Sequence, residues 1–272
     1  WFEGVLVIGG ATVAMMLFPA ATMGFFLVRS RIWETLALLQ RCVESLLEST
    51  RYPHYEILLL DRLGAAAGTG EWLSALESMS EAQLRVLRFP ATANVAQMCN
   101  EAVRHARGDY LVLLDQDTAA LQNDWLEELL NHAQRPEVAA VGGLLISPKG
   151  RVQQAGMLLG LLGPAGVAFA DKPVDAPGYM ARLQVEQNYS AVSGDCLMIG
   201  KSLFEELGGL DETDLGTHWG DVDLCLKAHQ AGYLNVWTPR ARFVHNGTPR
   251  AASRPAEQDL MYAKWLPVLA RD

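Results

Sequence analysis

The chain is short of positive charge. Its 272 residues carry 22 Lys and Arg against 31 Asp and Glu, a formal net charge of −9. General nucleic-acid binders are more often basic, so no nucleic-acid partner is expected. Cysteine is equally sparse. Cys42, Cys99, Cys196 and Cys225 form no Cys-x-x-Cys pair and sit among apolar neighbours. They read as buried free thiols in a reducing compartment, not as a disulfide framework or a zinc site. Internal repeats, low-complexity tracts and dividing linkers are also missing. With 50% apolar and 19% charged residues, the chain can build a substantial core as one α/β domain.

Two stretches lack particular charges. Residues 5–28 contain no charged residue at all, which is long enough to cross a bilayer. Gly9-Gly10 and Pro19 interrupt that run and no basic segment precedes it. Met23 to Val28 is therefore expected to be the first buried parallel strand. Residues 1–22 are read as an N-terminal extension continuing from an upstream segment, since Trp1 is not an initiator Met. Residues 224–256 contain no Asp or Glu but hold Lys227, Arg240, Arg242, Arg250 and Arg254. The C-terminal part of the chain thus suits an anion which the rest repels.

Apolar periodicity predicts a helix over 32–47 and a strand over 55–60 ending at Asp61. A helix over 71–79, a strand over 84–89, a helix over 95–106 and a strand over 109–114 follow. This alternation implies βαβ units and a mostly parallel sheet flanked by helices. Further on, a helix is expected over 123–133, a strand over 138–143 and an irregular strand or hairpin over 150–162. A mobile loop is expected over 163–187, a strand over 190–199, helices over 201–207 and 221–231, and short strands over 234–237 and 242–244. Residues 251–272 read as a C-terminal helix or tail.

Asp115-Gln116-Asp117 closes the strand at 109–114. Two carboxylates at the mouth of a parallel strand can hold a divalent cation and, through it, a diphosphate. Downstream come Ser193-Gly194-Asp195, then Gly208-Gly209-Leu210-Asp211-Glu212. Trp219-Gly220-Asp221-Val222-Asp223-Leu224-Cys225-Leu226-Lys227 follows, then Ala231-Gly232-Tyr233 and His245. Asn100-Glu101-Ala102 precedes Ala106-Arg107-Gly108-Asp109-Tyr110. In this order the motifs closely resemble the family 2 glycosyltransferases, inverting enzymes of the GT-A fold, over residues 23–250.

The resemblance implies a Rossmann-like GT-A domain with a mixed, acceptor-side C-terminal half. It implies sugar transfer, with inversion, from a nucleotide-diphosphate donor, UDP- or dTDP-linked, to a glycan, lipid-linked or protein hydroxyl. Mn2+ or Mg2+ would be the cofactor. By the same resemblance Asp61 contacts the nucleoside, and Asp115 and Asp117 hold the metal and diphosphate. His245 completes that site, Asn100 lies on the donor side, and Asp221 is the general base. Asp195, Trp219 and Asp223 are acceptor-side candidates, Asp221 also being readable as a helix N-cap and Asp223 as a first-turn helix residue. A cytoplasmic enzyme is implied, at the inner face of a membrane or joined to further domains. The chain departs from the pattern at three places: Val28-Arg29-Ser30 where a strand end in Pro-Thr is usual, Asp61-Arg62-Leu63-Gly64 at the second strand end, and Gly220 in place of a Glu before Asp221. Two rivals are a non-catalytic module of the same fold and a nucleotidyltransferase. The second is disfavoured by the lack of a Gly-rich, Lys-bearing loop near the N-terminus.

Overall fold

A computed structural model describes residues 4–9, 23–62, 69–79, 84–216, 218–247 and 255–269. The first strand is not the one expected. Strand β1 is Gly4–Gly9, and Met23 to Val28 opens a 27-residue helix, α1 (Met23–Ser49). A six-residue apolar run does not by itself distinguish a buried strand from a buried helix. The slot in the sheet decides. β1 pairs in parallel with both β2 (Tyr55–Arg62) and β4 (Tyr110–Asp115), which leaves no place there for 23–28. The sheet thus reaches into the segment read as an extension, and Val28-Arg29-Ser30 lies in a helix rather than at a strand end. Among the described residues no helix is long and apolar enough to cross a membrane.

Helix α2 (Thr69–Met79) leads to strand β3 (Leu84–Phe89), and helix α3 (Val95–His105) leads to β4. Asn94 starts α3 with a reciprocal cap, its Oδ1 accepting from Gln97 N and its own N donating to Gln97 Oε1. After β4 come β5 (Thr118–Ala120), α4 (Trp125–Ala133) and β6 (Val138–Ile146). The stretch 150–162 holds two short strands that do not pair with each other: β7 (Val152–Gln154) returns along β6, and β8 (Met157–Leu159) pairs with β9 (Ala165–Val167). The remainder is β10 (Gln187–Tyr189), β11 (Cys196–Gly200), α5 (Lys201–Glu206), α6 (Gly220–Gln230), β12 (Leu234–His245) and α7 (Pro255–Leu269).

The main sheet runs β10-β12-β6-β11-β4-β1-β2-β3, with β5 against β12 and β7 against β6. β1 to β4 are mutually parallel, whereas β11 runs antiparallel to both β4 and β6, and β6 is parallel to β12. The two short strands expected at 234–237 and 242–244 are one strand with a register shift between Trp237 and Arg242, so the bulge carries Pro239 outside the ladder. One apolar layer buries Leu36, Leu39, Val43 and Leu46 of α1 with Trp125 and Leu129 of α4. The other buries Ala96, Cys99, Ala102 and Val103 of α3 with Val222, Leu224 and Leu226 of α6 and Trp265 of α7. The stretch 163–187, expected as a mobile loop, is tied down at its start. Ala168 N donates to Gly156 O, Asp171 N to Val152 O and Val174 N to Gly150 O, while Tyr179 and Met180 stay exposed. All four cysteines are buried and none forms a disulfide, as expected.

Candidate active site

The sheet's directions bring distant residues to one edge. Gly9, the last residue of β1, lies between Leu60 and Asp115. The next residue of β2 is Asp61, so Asp61 and Asp115 flank the carboxyl end of β1. β11 runs the other way, so its beginning meets the end of β4, and Asp115 N donates to Asp195 O at 3.0 Å. β12 ends at the same edge. Its last residue, His245, pairs with Thr118 just past the two carboxylates. Ligands of open α/β sheets bind at this edge.

The turn holding the carboxylates is braced from both sides. Thr118 Oγ1 donates to Asp115 O at 2.6 Å, and Ala120 N donates to Ser45 Oγ of α1 at 3.1 Å. Asn246 N donates to Asp117 O at 2.8 Å. His245 Nε2 stands 3.6 Å from Asp115 Oδ2, too far for a hydrogen bond but close for charge. Burial and the neighbouring Asp115 carboxylate push Asp117 up to about 6, with His245 pulling the other way. For His245, burial lowers the pKa, but Asp115, Asp195 and Asp117 outweigh it and the net shift is upward. Asp117 Oδ1 and His245 Nε2 are buried without a hydrogen-bond partner. A Cβ on Gly247 would lie 2.8 Å from both Asp117 Oδ2 and His245 Nε2, so the space before them is kept free of side chains.

A divalent cation fits this arrangement. Unpaired buried acceptors cost free energy that a cation can offset, and the carboxylate oxygens suit manganese or magnesium, the imidazole beside them favouring manganese of the two. Among the described residues no group of three or more His, Cys, Asp or Glu is placed to hold a metal ion. A half-site of Asp117 and His245, with Asp115 at its rim, therefore suits an ion whose remaining ligands are phosphate oxygens.

Asp221 lies in the first turn of α6, and Trp219 rather than Asp221 holds the cap position. The N-cap alternative is thereby corrected: the carboxylate bridges the 193–195 turn and the adjacent N–H of its own helix. Its Oδ2 accepts from Gly194 N at 2.8 Å and its Oδ1 from Val222 N at 2.8 Å. Gly194 permits this, because a Cβ there would come within 3.3 Å of the Asp221 Cβ. Asp195 accepts at Oδ2 from Ser193 Oγ (2.8 Å) and Gln154 Nε2 (3.1 Å). Asp221 and Asp195 thus flank one tight turn.

Three expected site residues are engaged elsewhere. Asp223 is fully buried, with its carboxylate held by Lys227 at 2.9 Å, Lys264 at 2.8 Å and Trp265 Nε1 at 2.9 Å. It fastens α7 to the back of α6. Asn100 bonds to Leu210 N and O and to Glu212 Oε1, joining α3 to the 208–212 turn. Its amide groups are committed there, because its helix packs against that turn rather than at the strand ends. The Trp219 ring is buried in the core. Asp61 is buried, and burial raises its pKa despite Arg88 opposite it on β3. Residues 63–68, which follow β2, lie outside the described residues. Sequence reasoning missed Gln153 and Gln154 of β7. Gln153 Oε1 meets His245 Nδ1 at 2.5 Å, and Gln154 holds Asp195. The only signal was a Gln-Gln pair in a segment read as irregular.

The glycosyl transferase family 2 model matches residues 33–208. The chain belongs to this family. A second model, of a domain of unknown function, matches residues 4–46. An uncharacterized protein of Sinorhizobium fredii, y4gI, is 39% identical over 239 residues, covering 85% of this chain and 26% of that protein. The O-antigen biosynthesis protein RfbC of Myxococcus xanthus is 34% identical over 238 residues, covering 85% of this chain and 18% of that protein. The chain thus spans about a quarter or less of the length of these two relatives. An N-acetylglucosaminyl-diphospho-decaprenol L-rhamnosyltransferase of Mycobacterium tuberculosis is 26% identical, covering 60% of this chain and 55% of that enzyme. Among solved structures, GalNAc-T7 with UDP, GalNAc and Mn2+ aligns over 98% of this chain and 48% of its own, at TM-score 0.68 and 17% identity. The mannosyltransferase PcManGT of Pyrobaculum calidifontis, with GDP-Man and Mn2+, aligns over 99% and 73%, at TM-score 0.61 and 14% identity. The family 2 chain therefore has the GT-A fold, in agreement with the sequence reading.

Proposed function

We propose that this chain is a metal-dependent, inverting glycosyltransferase that moves a sugar from a nucleotide-diphosphate donor to an acceptor hydroxyl. The observation that carries this reading is the convergence of Asp115, Asp117 and His245 at one sheet edge, with Asp117 Oδ1 and His245 Nε2 buried and unpartnered. Asp117 and His245 would hold Mn2+ or Mg2+, with Asp115 at the rim of the same half-site. The cation, when bound, supplies charge stabilisation for the departing diphosphate without a proton donor. Asp61, flanking β1, suits the nucleoside. Asp221, hydrogen-bonded by two backbone N–H groups at a helix start, is the carboxylate proposed to take the acceptor's proton. A UDP- or dTDP-linked donor and a glycan, lipid-linked or protein acceptor are the partners proposed. The Mn2+ and nucleotide in the two solved neighbours support the donor class, and the relatives named for O-antigen synthesis and rhamnosyl transfer support a polysaccharide setting. A cytoplasmic position, peripheral to a membrane, goes with a lipid-linked acceptor.

A non-catalytic role is favoured by two observations, Gly220 in place of a Glu and the altered end of the second strand. Incubation with a panel of nucleotide sugars and Mn2+ separates the readings. Release of nucleoside diphosphate from one donor, abolished by a chelator, is expected. No release from any donor would leave the non-catalytic role standing.

A further inference from the structure

We infer that Gln153 is a positioning residue that fixes the tautomer of His245, so that Nε2 presents its lone pair to the Asp115–Asp117 side. This rests on the metal half-site proposed above and deepens it. The argument starts at a backbone carbonyl. Gln153 Nε2 donates to Gly247 O at 3.5 Å, and a carbonyl can only accept. The amide nitrogen of Gln153 therefore faces Gly247 and its Oε1 faces His245, where it meets Nδ1 at 2.5 Å. Oε1 can only accept, so Nδ1 must carry the proton. In the neutral ring the lone pair then falls on Nε2, the nitrogen buried beside Asp115 and Asp117.

The direction is not the one the carboxylates alone would choose. Two anions beside Nε2 draw a proton to that nitrogen, and a protonated Nε2 cannot bind a cation. Gln153 opposes that pull with an acceptor on the other side of the ring. Its strand makes this possible. β7 runs antiparallel to β6, which is itself parallel to β12, so β7 reaches the sheet edge where β12 ends. Partners on the second nitrogen of a metal-binding histidine commonly change metal affinity by about 10–100-fold.

The test has two arms in the full chain. Nitrogen NMR of 15N-histidine-labelled, metal-free protein, at a pH where the ring is neutral, reports the tautomer of His245. The wild type should show the Nδ1–H form, and Gln153→Leu should move the proton toward Nε2. Mn2+ titration followed by electron paramagnetic resonance, with and without UDP, should show affinity falling by about 10–100-fold in Gln153→Leu. Gln153→Glu keeps an oxygen acceptor and should restore both signals. Circular dichroism establishes that each variant is folded. An Nε2–H ring in the wild type overturns the inference, as does Gln153→Leu with unchanged tautomer and unchanged Mn2+ affinity. Should the wild type take up no Mn2+, the metal reading falls, while the tautomer arm still decides the role of Gln153.

Discussion

Replacing Asp221 with Asn separates chemistry from folding, and the structure sets the size of each effect. Both carboxylate oxygens accept backbone N–H groups at 2.8 Å, from Gly194 and from Val222. Asn offers one oxygen and one NH2, so one of those two N–H groups must face a donor. A lost hydrogen bond of this kind costs about 1 kcal/mol net, since Asp221 is half-buried and water can take up the orphan. For a domain this large, that lowers Tm by roughly 2–4 °C. Donor binding should scarcely change, because Asp115, Asp117 and His245 are held by the β5–β12 pairing and not by α6. Sugar transfer should fall by about 10²–10⁴-fold, the usual contribution of a general base. Differential scanning fluorimetry, calorimetric titration with nucleoside diphosphate and Mn2+, and single-turnover product formation measure the three quantities. Near wild-type turnover in the folded variant would refute the assignment, and Asp195, across the same turn, would become the candidate.

Three further outcomes are expected. Gly247→Ala places a methyl group 2.8 Å from Asp117 Oδ2 and His245 Nε2, so it should abolish Mn2+-dependent nucleotide binding while leaving the far-UV spectrum intact, as calorimetry and circular dichroism would show. Trp265→Phe removes the indole N–H bond to the buried Asp223 carboxylate and should cost about 1.5–3 kcal/mol in urea unfolding; Lys264→Met should cost at least as much, leaving Asp223 with Lys227 as its one cationic partner beside the Trp265 indole. For Asp211, burial alone would raise the pKa, but hydrogen bonds from Lys264, Thr213 and Asp214 outweigh it and hold the carboxyl well below its usual range. Its folded pKa lies below the unfolded value of about 3.9, so its stabilisation is present above that pH and is lost as pH falls further. Asp211→Asn should accordingly make stability less steep in acid, below about pH 4, as pH-dependent urea midpoints would report.

The first half of the fold was legible because each of its elements is locally specified. The run 84–89 and the periodic Ala96, Cys99, Ala102 and Val103 needed only their own sequence to become β3 and α3. Asp115 and Asp117 were legible for a related reason, lying where a strand of Leu and Val must stop. Residues 23–28 misled because an apolar run fits a helix or a strand equally well, and only the occupied place between β2 and β4 decides. β12 was split by Pro239, which looks like a break in sequence but occupies a bulge in the sheet. Asn100 and Asp223 carry residue types common in sites, yet their partners, Leu210 and Trp265, are distant in sequence and turn both into fasteners. Gln153 and Gln154 had no local signal, since their roles exist only once β7 has folded back along β6.

The pairing of β5 with the end of β12 also sets an order in time. Asp115 and Asp117 close the parallel half of the sheet, β1 to β4, whose strands all precede Asp117 in the chain. His245 follows Asp115 by 130 residues and reaches it only through the Thr118–His245 register. At a synthesis rate of about 5–20 residues per second, a nascent chain carries its two carboxylates for roughly 6–26 seconds before the histidine exists. During that interval the half-built edge has acidic groups but no imidazole, and α7 has not yet covered Asp223. If the proposed half-site takes up a cation, that affinity belongs to the nearly finished chain, and its onset during refolding would mark the docking of the last strand.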